Sequence, residues 1–151
     1  MRRVSGQRGM TLIEVLVALL VMSVGILGVA ILQLNALKQT DSAMRSTQAS
    51  FVAHDLLERI RANPGADYGL GSLSQAPTSG NPNIPRDQDL FDFADQLRRM
   101  LGSDVEASVA QTAARVTVTL DWSDSRAQGE NPPRQTLTLS SLTRPSRSAE
   151  P

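Results

Sequence analysis

The sequence has no cysteine, a single histidine and few aromatic residues: one Trp, one Tyr and three Phe in 151 residues. Without cysteine there is no disulfide framework, no Cys-ligated zinc or iron–sulfur site and no thiol nucleophile. A catalytic triad or a multi-His metal centre would rest on His54 alone. An excess of one charge is also missing. Fifteen Lys and Arg face fifteen Asp and Glu, which argues against binding nucleic acid through bulk charge. Enzymatic readings therefore start weak, and the expectation is a chain without catalytic residues, cofactor or small-molecule substrate.

What is present is unevenly placed. Met10 to Leu32 is an apolar run with one charged residue, Glu14, and small or weakly polar breaks at Ser23, Gly25 and Gly28. As a helix it is roughly 35 Å long, enough to cross a hydrocarbon core of about 30 Å. Before it, Arg2, Arg3 and Arg8 stand in a leader that holds no acidic residue. The positive-inside rule then keeps residues 1–9 in the cytoplasm and sends the rest across. A secretory signal peptide cut near Gly28-Val29-Ala30 is the competing reading. Against it stand the length of the run, its carboxylate, and its unbroken passage into a second helical pattern.

A carboxylate inside a membrane span costs on the order of 2 to 3 kcal/mol at the bilayer centre. Glu14 escapes part of that cost if it lies in the first helical turn, where the helix dipole favours negative charge by a few tenths of a kcal/mol. A second reading comes from Gly9-Met10-Thr11-Leu12-Ile13-Glu14. A cut after Gly9 would place a new α-amino group four residues from the carboxylate. An amine and a carboxylate about 4 Å apart, at an effective dielectric near 20, attract by roughly 4 kcal/mol, comparable with the desolvation cost of the acid. Pairing between neighbouring copies would then set an assembly register.

The stretch Arg8-Gly9-Met10-Thr11-Leu12-Ile13-Glu14-Val15-Leu16-Val17-Ala18-Leu19-Leu20 resembles the class III signal of type IV prepilins. The resemblance implies that prepilin peptidase cuts between Gly9 and Met10 and methylates the new N-terminus at Met10. It also implies that Glu14, at the fifth mature position, meets the N-terminal amine of an adjoining subunit. The family usually has Phe where this chain has Met10. Two further stretches, Ser23-Val24-Gly25-Ile26-Leu27-Gly28-Val29-Ala30 with Gln33, and Leu57-Glu58-Arg59-Ile60-Arg61-Ala62-Asn63-Pro64, are similar to minor pilins of the PilV family. Many pilins carry a proline in the membrane helix, but none occurs here before Pro64. Gly25 and Gly28 either supply that softness, at about 1 kcal/mol of helix propensity each, or permit close helix packing.

Beyond Leu32 the apolar stripe thins into Leu34, Leu37, Met44, Phe51, Val52, Leu56 and Ile60, an amphipathic continuation of the same helix over residues 33–63. Ala62-Asn63-Pro64-Gly65 stops it. Residues 64 to 86 are rich in Pro, Gly, Ser and Asn and read as an irregular loop with little apolar area to bury. Asp87 or Asp89 is expected to cap a helix whose Leu90, Phe93, Leu97 and Leu101 form a core stripe ending at Gly102. The period then becomes two. Val105, Ala107 and Val109, then Val116, Val118, Leu120 and Trp122, then Leu137 and Leu139 alternate with polar residues, predicting three antiparallel strands. Residues 64–142 form an α+β head, and the polar tail 143–151 is expected to fray. The architecture expected is type IV pilin-like: a long N-terminal transmembrane and amphipathic helix packed on a small three-stranded antiparallel sheet.

Other candidate chemistry is thin. His54 and Glu58 share a helix face, yet no third ligand accompanies them, and a solvated pair is the simpler reading. Asp121, Asp124 and Glu130 offer clustered oxygens for calcium without EF-hand spacing, and Arg126 and Arg134 lie beside them. Arg98 and Arg99 suit the C-terminal dipole of the second helix. Removing Arg2, Arg3 and Arg8 leaves twelve basic residues against fifteen acidic, a net −3, which makes nucleic acid an improbable partner. The resemblance implies other partners: prepilin peptidase, other minor pilins, the major pilin and the inner-membrane assembly platform. It implies residence in the inner membrane with the head in the periplasm, and then in a pilus. A pseudopilin of type II secretion or DNA uptake shares the signal and helix. A single-pass protein with a periplasmic sensor head is the reading from another class.

Overall fold

The computed structural model describes residues 11–124 and 133–142. The elements, in chain order, are α1 (Leu12–Ala62), a single 3-10 turn (Leu73–Gln75), α2 (Pro85–Leu101), β1 (Glu106–Gln111), β2 (Arg115–Ser123) and β3 (Arg134–Leu142). Two compact units divide between Gln39 and Thr40.

The first unit is helical wherever it is described, from Leu12 to Gln39. Its large apolar side chains, from Leu12 through Leu37, are all exposed. The helix is long and apolar enough to cross a membrane, and none of its apolar window is buried among the described residues. Burying such side chains is worth roughly 1.5 to 3 kcal/mol each, so this surface calls for lipid or for other helices.

The second unit has a core of its own. α1 contributes Ala49, Val52, Ala53, Leu56, Leu57 and Ile60, at spacings of three and four that place them on one helix face. Asn63 N–H closes the helix on the Arg59 and Ile60 carbonyls at 3.1 and 3.2 Å, and Pro64 prevents another turn. α2 turns Leu90, Phe93, Ala94, Leu97 and Leu101 inward and ends at Gly102, whose φ of 107° favours glycine. The three strands form an antiparallel meander in the order β1-β2-β3. Val118 stands opposite both Val109 and Leu139, and Leu120 opposite both Ala107 and Leu137, so one face is apolar across the whole sheet. That face and α1 share one hydrophobic core, giving an α+β head of long helix on three-stranded antiparallel sheet.

Two expectations need correction. Neither Asp87 nor Asp89 caps α2. Ile84 occupies the N-cap without a side-chain bond and Pro85 opens the helix, its fixed φ already helical and its missing N–H no loss there. Asp87 lies in the first turn, paired with Arg86 at 2.8 Å. The segment from 64 to 84 is irregular, but it buries more than its composition promises. Tyr68, Leu70, Leu73 and Ala76 all enter the core. Leu70 exchanges backbone hydrogen bonds with Val109 at 2.9 and 2.8 Å and covers the outer edge of β1. Four well-placed apolar side chains and one backbone pairing suffice where regular structure is absent.

Candidate assembly site

Glu14 lies in the first turn of α1, where Glu14 N–H and Val15 N–H both reach the Thr11 carbonyl, at 3.0 and 3.3 Å. Its side chain is exposed, and among the described residues no side chain pairs with it. The turn thus presents a carboxylate at the positive end of a helix with room for a partner. Gly9, Met10, Arg2, Arg3 and Arg8 lie outside the described residues.

Farther along, Ser23 donates its hydroxyl to the carbonyls of Leu19 and Leu20. This satisfies the hydroxyl within the helix, as an apolar surrounding requires. A methyl group built on Gly25 or Gly28 would have no atom of the described residues within 4 Å beyond its own stretch of helix. Both positions are bare strips of backbone on the exposed anchor, suited to close approach by another helix.

The head is fastened by a polar cluster that sequence inspection did not single out. Tyr68 donates its hydroxyl to Asp89 Oδ2 at 2.7 Å and receives Asn63 Nδ2 at 3.2 Å. Arg59 donates to Asp89 Oδ1 at 2.9 Å and, through Nε, to Asp55 at 2.8 Å. One carboxylate on α2 therefore holds both α1 and the loop. Burial and the hydrogen bond to Asp89 raise the Tyr68 phenol above its usual range. The Asp89 hydrogen bond likewise makes the Arg59 guanidinium hold its proton more tightly. Gln111 accepts from Tyr68 N–H at 2.8 Å and donates to the Ala66 carbonyl at 3.2 Å, fixing the same loop to β1. The lone tyrosine in a polar loop was the one available signal.

The weaker candidates separate. His54 engages the Ser50 carbonyl of its own helix at 2.9 Å, while Glu58 is taken by Arg61 at 2.7 Å. Asp121 is held by Arg134 and by Thr136, the latter at 2.8 Å. Glu130 lies outside the described residues. No group of three or more His, Cys, Asp or Glu gathers among the described residues. Arg98 reaches the Leu73 carbonyl at 3.1 Å and Arg99 pairs with Asp95 at 2.8 Å. Asp104 accepts from the Ser123 hydroxyl, which lowers its carboxyl below the usual range and ties the end of β2 to the turn after α2.

Two family models match the chain in tandem. Residues 4–30 match the prokaryotic N-terminal methylation motif. Residues 31–81 match the type IV pilin Tt1218 model, which covers the C-terminal part of α1 and most of the loop after it. Neither model reaches the finer PilV assignment. No curated protein and no solved structure matches the chain at a significant level. An apolar helix that begins inside the methylation-motif match and continues into a helix packed on a three-stranded sheet is consistent with a type IV pilin.

Proposed function

We propose that the protein is a minor pilin of the type IV pilus, of the PilV kind. It would wait in the inner membrane with residues 1–9 in the cytoplasm and the head in the periplasm. Prepilin peptidase would cut between Gly9 and Met10 and methylate the Met10 amine. The subunit would then join other minor pilins and the major pilin at the inner-membrane assembly platform. The observation that carries this reading is the exposed carboxylate of Glu14 in the first turn of an exposed apolar helix, inside the residues that match the methylation motif.

In lipid, the anchor's apolar surface is satisfied by acyl chains. In a filament it would be satisfied by the anchors of neighbours, and van der Waals packing replaces lipid contact without a hydrophobic penalty. Such packing alone has little axial register. A carboxylate meeting a neighbour's terminal amine supplies one, because a one-turn slip would strand both charges in an apolar bundle.

Glu14→Val tests the role. Membrane insertion should be unchanged, since the substitution removes the only charge in the anchor. The amount recovered in sheared pili should fall at least about tenfold, the equivalent of 1.4 kcal/mol. Wild-type recovery would remove the proposed role of Glu14.

A further inference from the structure

The two outer edges of the sheet are finished differently. On β1, Val109 N–H donates to the Leu70 carbonyl at 2.8 Å and the Val109 carbonyl accepts from Leu70 N–H at 2.9 Å, which closes that edge at its centre. β3 lies at the other end of the order β1-β2-β3, and among the described residues no segment pairs with its far side. The register tells which backbone groups stand there. Because Val109 turns its polar groups away from β2, its partner Val118 turns its own away from β1 and toward Leu139. Asp124 N–H, donating to the Pro133 carbonyl at 2.9 Å, keeps the same alternation at the start of β3. Leu137, Leu139 and Ser141 therefore bond to β2, while the N–H and C=O of Thr136, Thr138 and Ser140 point out from the open edge.

Open edges are normally blunted by proline, lysine or a covering segment. β3 contains neither Pro nor Lys, and its one charged residue, Arg134, is turned to Asp121. Its apolar side is unfinished as well. Val118 and Leu120 on β2 are fully buried, whereas their cross-strand partners Leu139 and Leu137 are only partly buried. One more strand would complete both the backbone pairing and this flank of the core.

A second copy does not supply that strand. Antiparallel pairing of two β3 strands about a two-fold axis keeps the apolar faces together but reverses the C-terminal part of α1 that lies on them, so two helices coming from one membrane would run in opposite directions. Parallel pairing preserves the direction but sets the apolar face of one sheet beside the hydroxyl face of the other, which carries Thr136, Thr138 and Ser140. The β1 edge of another copy is already taken by Leu70.

We propose that the open edge of β3 takes an extended segment of a different polypeptide as a fourth strand. The backbone of that segment bonds to Thr136, Thr138 and Ser140, and its side chains alternate, apolar beside Leu137 and Leu139 and polar on the hydroxyl face. The inference rests on the pilin reading, which sets all copies in one membrane, and adds to it a docking site on the head that is separate from Glu14 and the anchor.

Amide hydrogen exchange of the full-length chain reads the edge directly. In the detergent-solubilised chain alone, Thr136, Thr138 and Ser140 should exchange freely while Leu137 and Leu139 are protected. In sheared pili the three edge amides should slow at least about tenfold, and a photoreactive amino acid at position 136 should give an adduct mapped to an extended segment of another protein. Thr138→Pro removes an outward N–H and no bond to β2, so it should abolish both the slowing and the adduct, with the fluorescence of the buried Trp122 unchanged. If that variant does not fold, the exchange pattern of the unaltered chain decides. Edge amides that stay fast in pili, edge amides already slow in the chain alone, or an adduct to a second copy overturn the proposal. Fast edge amides in a subunit cut after Gly9 and recovered normally in pili sink the edge and leave the pilin reading standing. An uncut leader sinks both.

Discussion

Two residues, Glu14 and Tyr68, carry the residue-scale argument, and they differ in what the sequence could say of them. Glu14 is conspicuous because one charge in an apolar run has an energetic cost that needs a reason. Tyr68 has no such local contrast, since its partner Asp89 is 21 residues away and Arg59 approaches Asp89 across 30. Its pH behaviour is nonetheless readable. Below about pH 10 the phenol is protonated in both folded and unfolded chains, and its contribution to stability is complete. Above that pH the unfolded chain ionises first, because the folded phenol is raised. Stability is then lost as the pH climbs toward the folded value. The chain has one Tyr and no Cys, so no second phenol and no thiol adds to the loss. Tyr68→Phe should remove most of the alkaline loss above about pH 10 and cost roughly 1 to 2 kcal/mol at neutral pH. Denaturant melts of the detergent-solubilised chain across that range would check it, and an unchanged alkaline limb would contradict it.

At the scale of elements, periodicity did most of the work. The α2 stripe and the alternation of β2 gave the correct inward residues, because spacing alone decides which side chains share a face. The start of α2 was misread for a definite reason: acidic residues suggest a cap, but Pro85 sets the helical φ earlier and leaves Asp89 free for tertiary contacts. The loop before α2 was misread because its composition gives no sign that Tyr68, Leu70 and Leu73 converge on the core. A buried stripe makes a quantitative prediction. Leu97, fully buried, is one of the largest side chains enclosed by the head. Leu97→Ala should destabilise the head by about 2 to 5 kcal/mol, read as a lower denaturation midpoint with an unchanged slope. A loss below about 1 kcal/mol would mean that α2 is not packed as described.

At the scale of the whole molecule, the chain divides into a unit that buries no large apolar side chain among its described residues and a unit with a hydrophobic core of its own. An apolar helical segment that buries none of its large side chains among the described residues is unsatisfied by itself, and this is the physical sense in which the proposed role is that of a subunit. Most of that architecture was legible in the sequence: the length of the apolar run, its single acid, and the change of period from 3.6 to 2. The open edge of β3 and the polar cluster around Asp89 were not, because both depend on which residues the fold brings together. The claim on which the rest depends is that the N-terminus is remade before the subunit functions. The direct test is mass analysis of the N-terminal peptide from protein made alongside a prepilin peptidase. The account predicts a peptide that begins at Met10 and carries a methyl group on its amine, whereas a peptide still beginning at Met1, with Arg2, Arg3 and Arg8 attached, would contradict it.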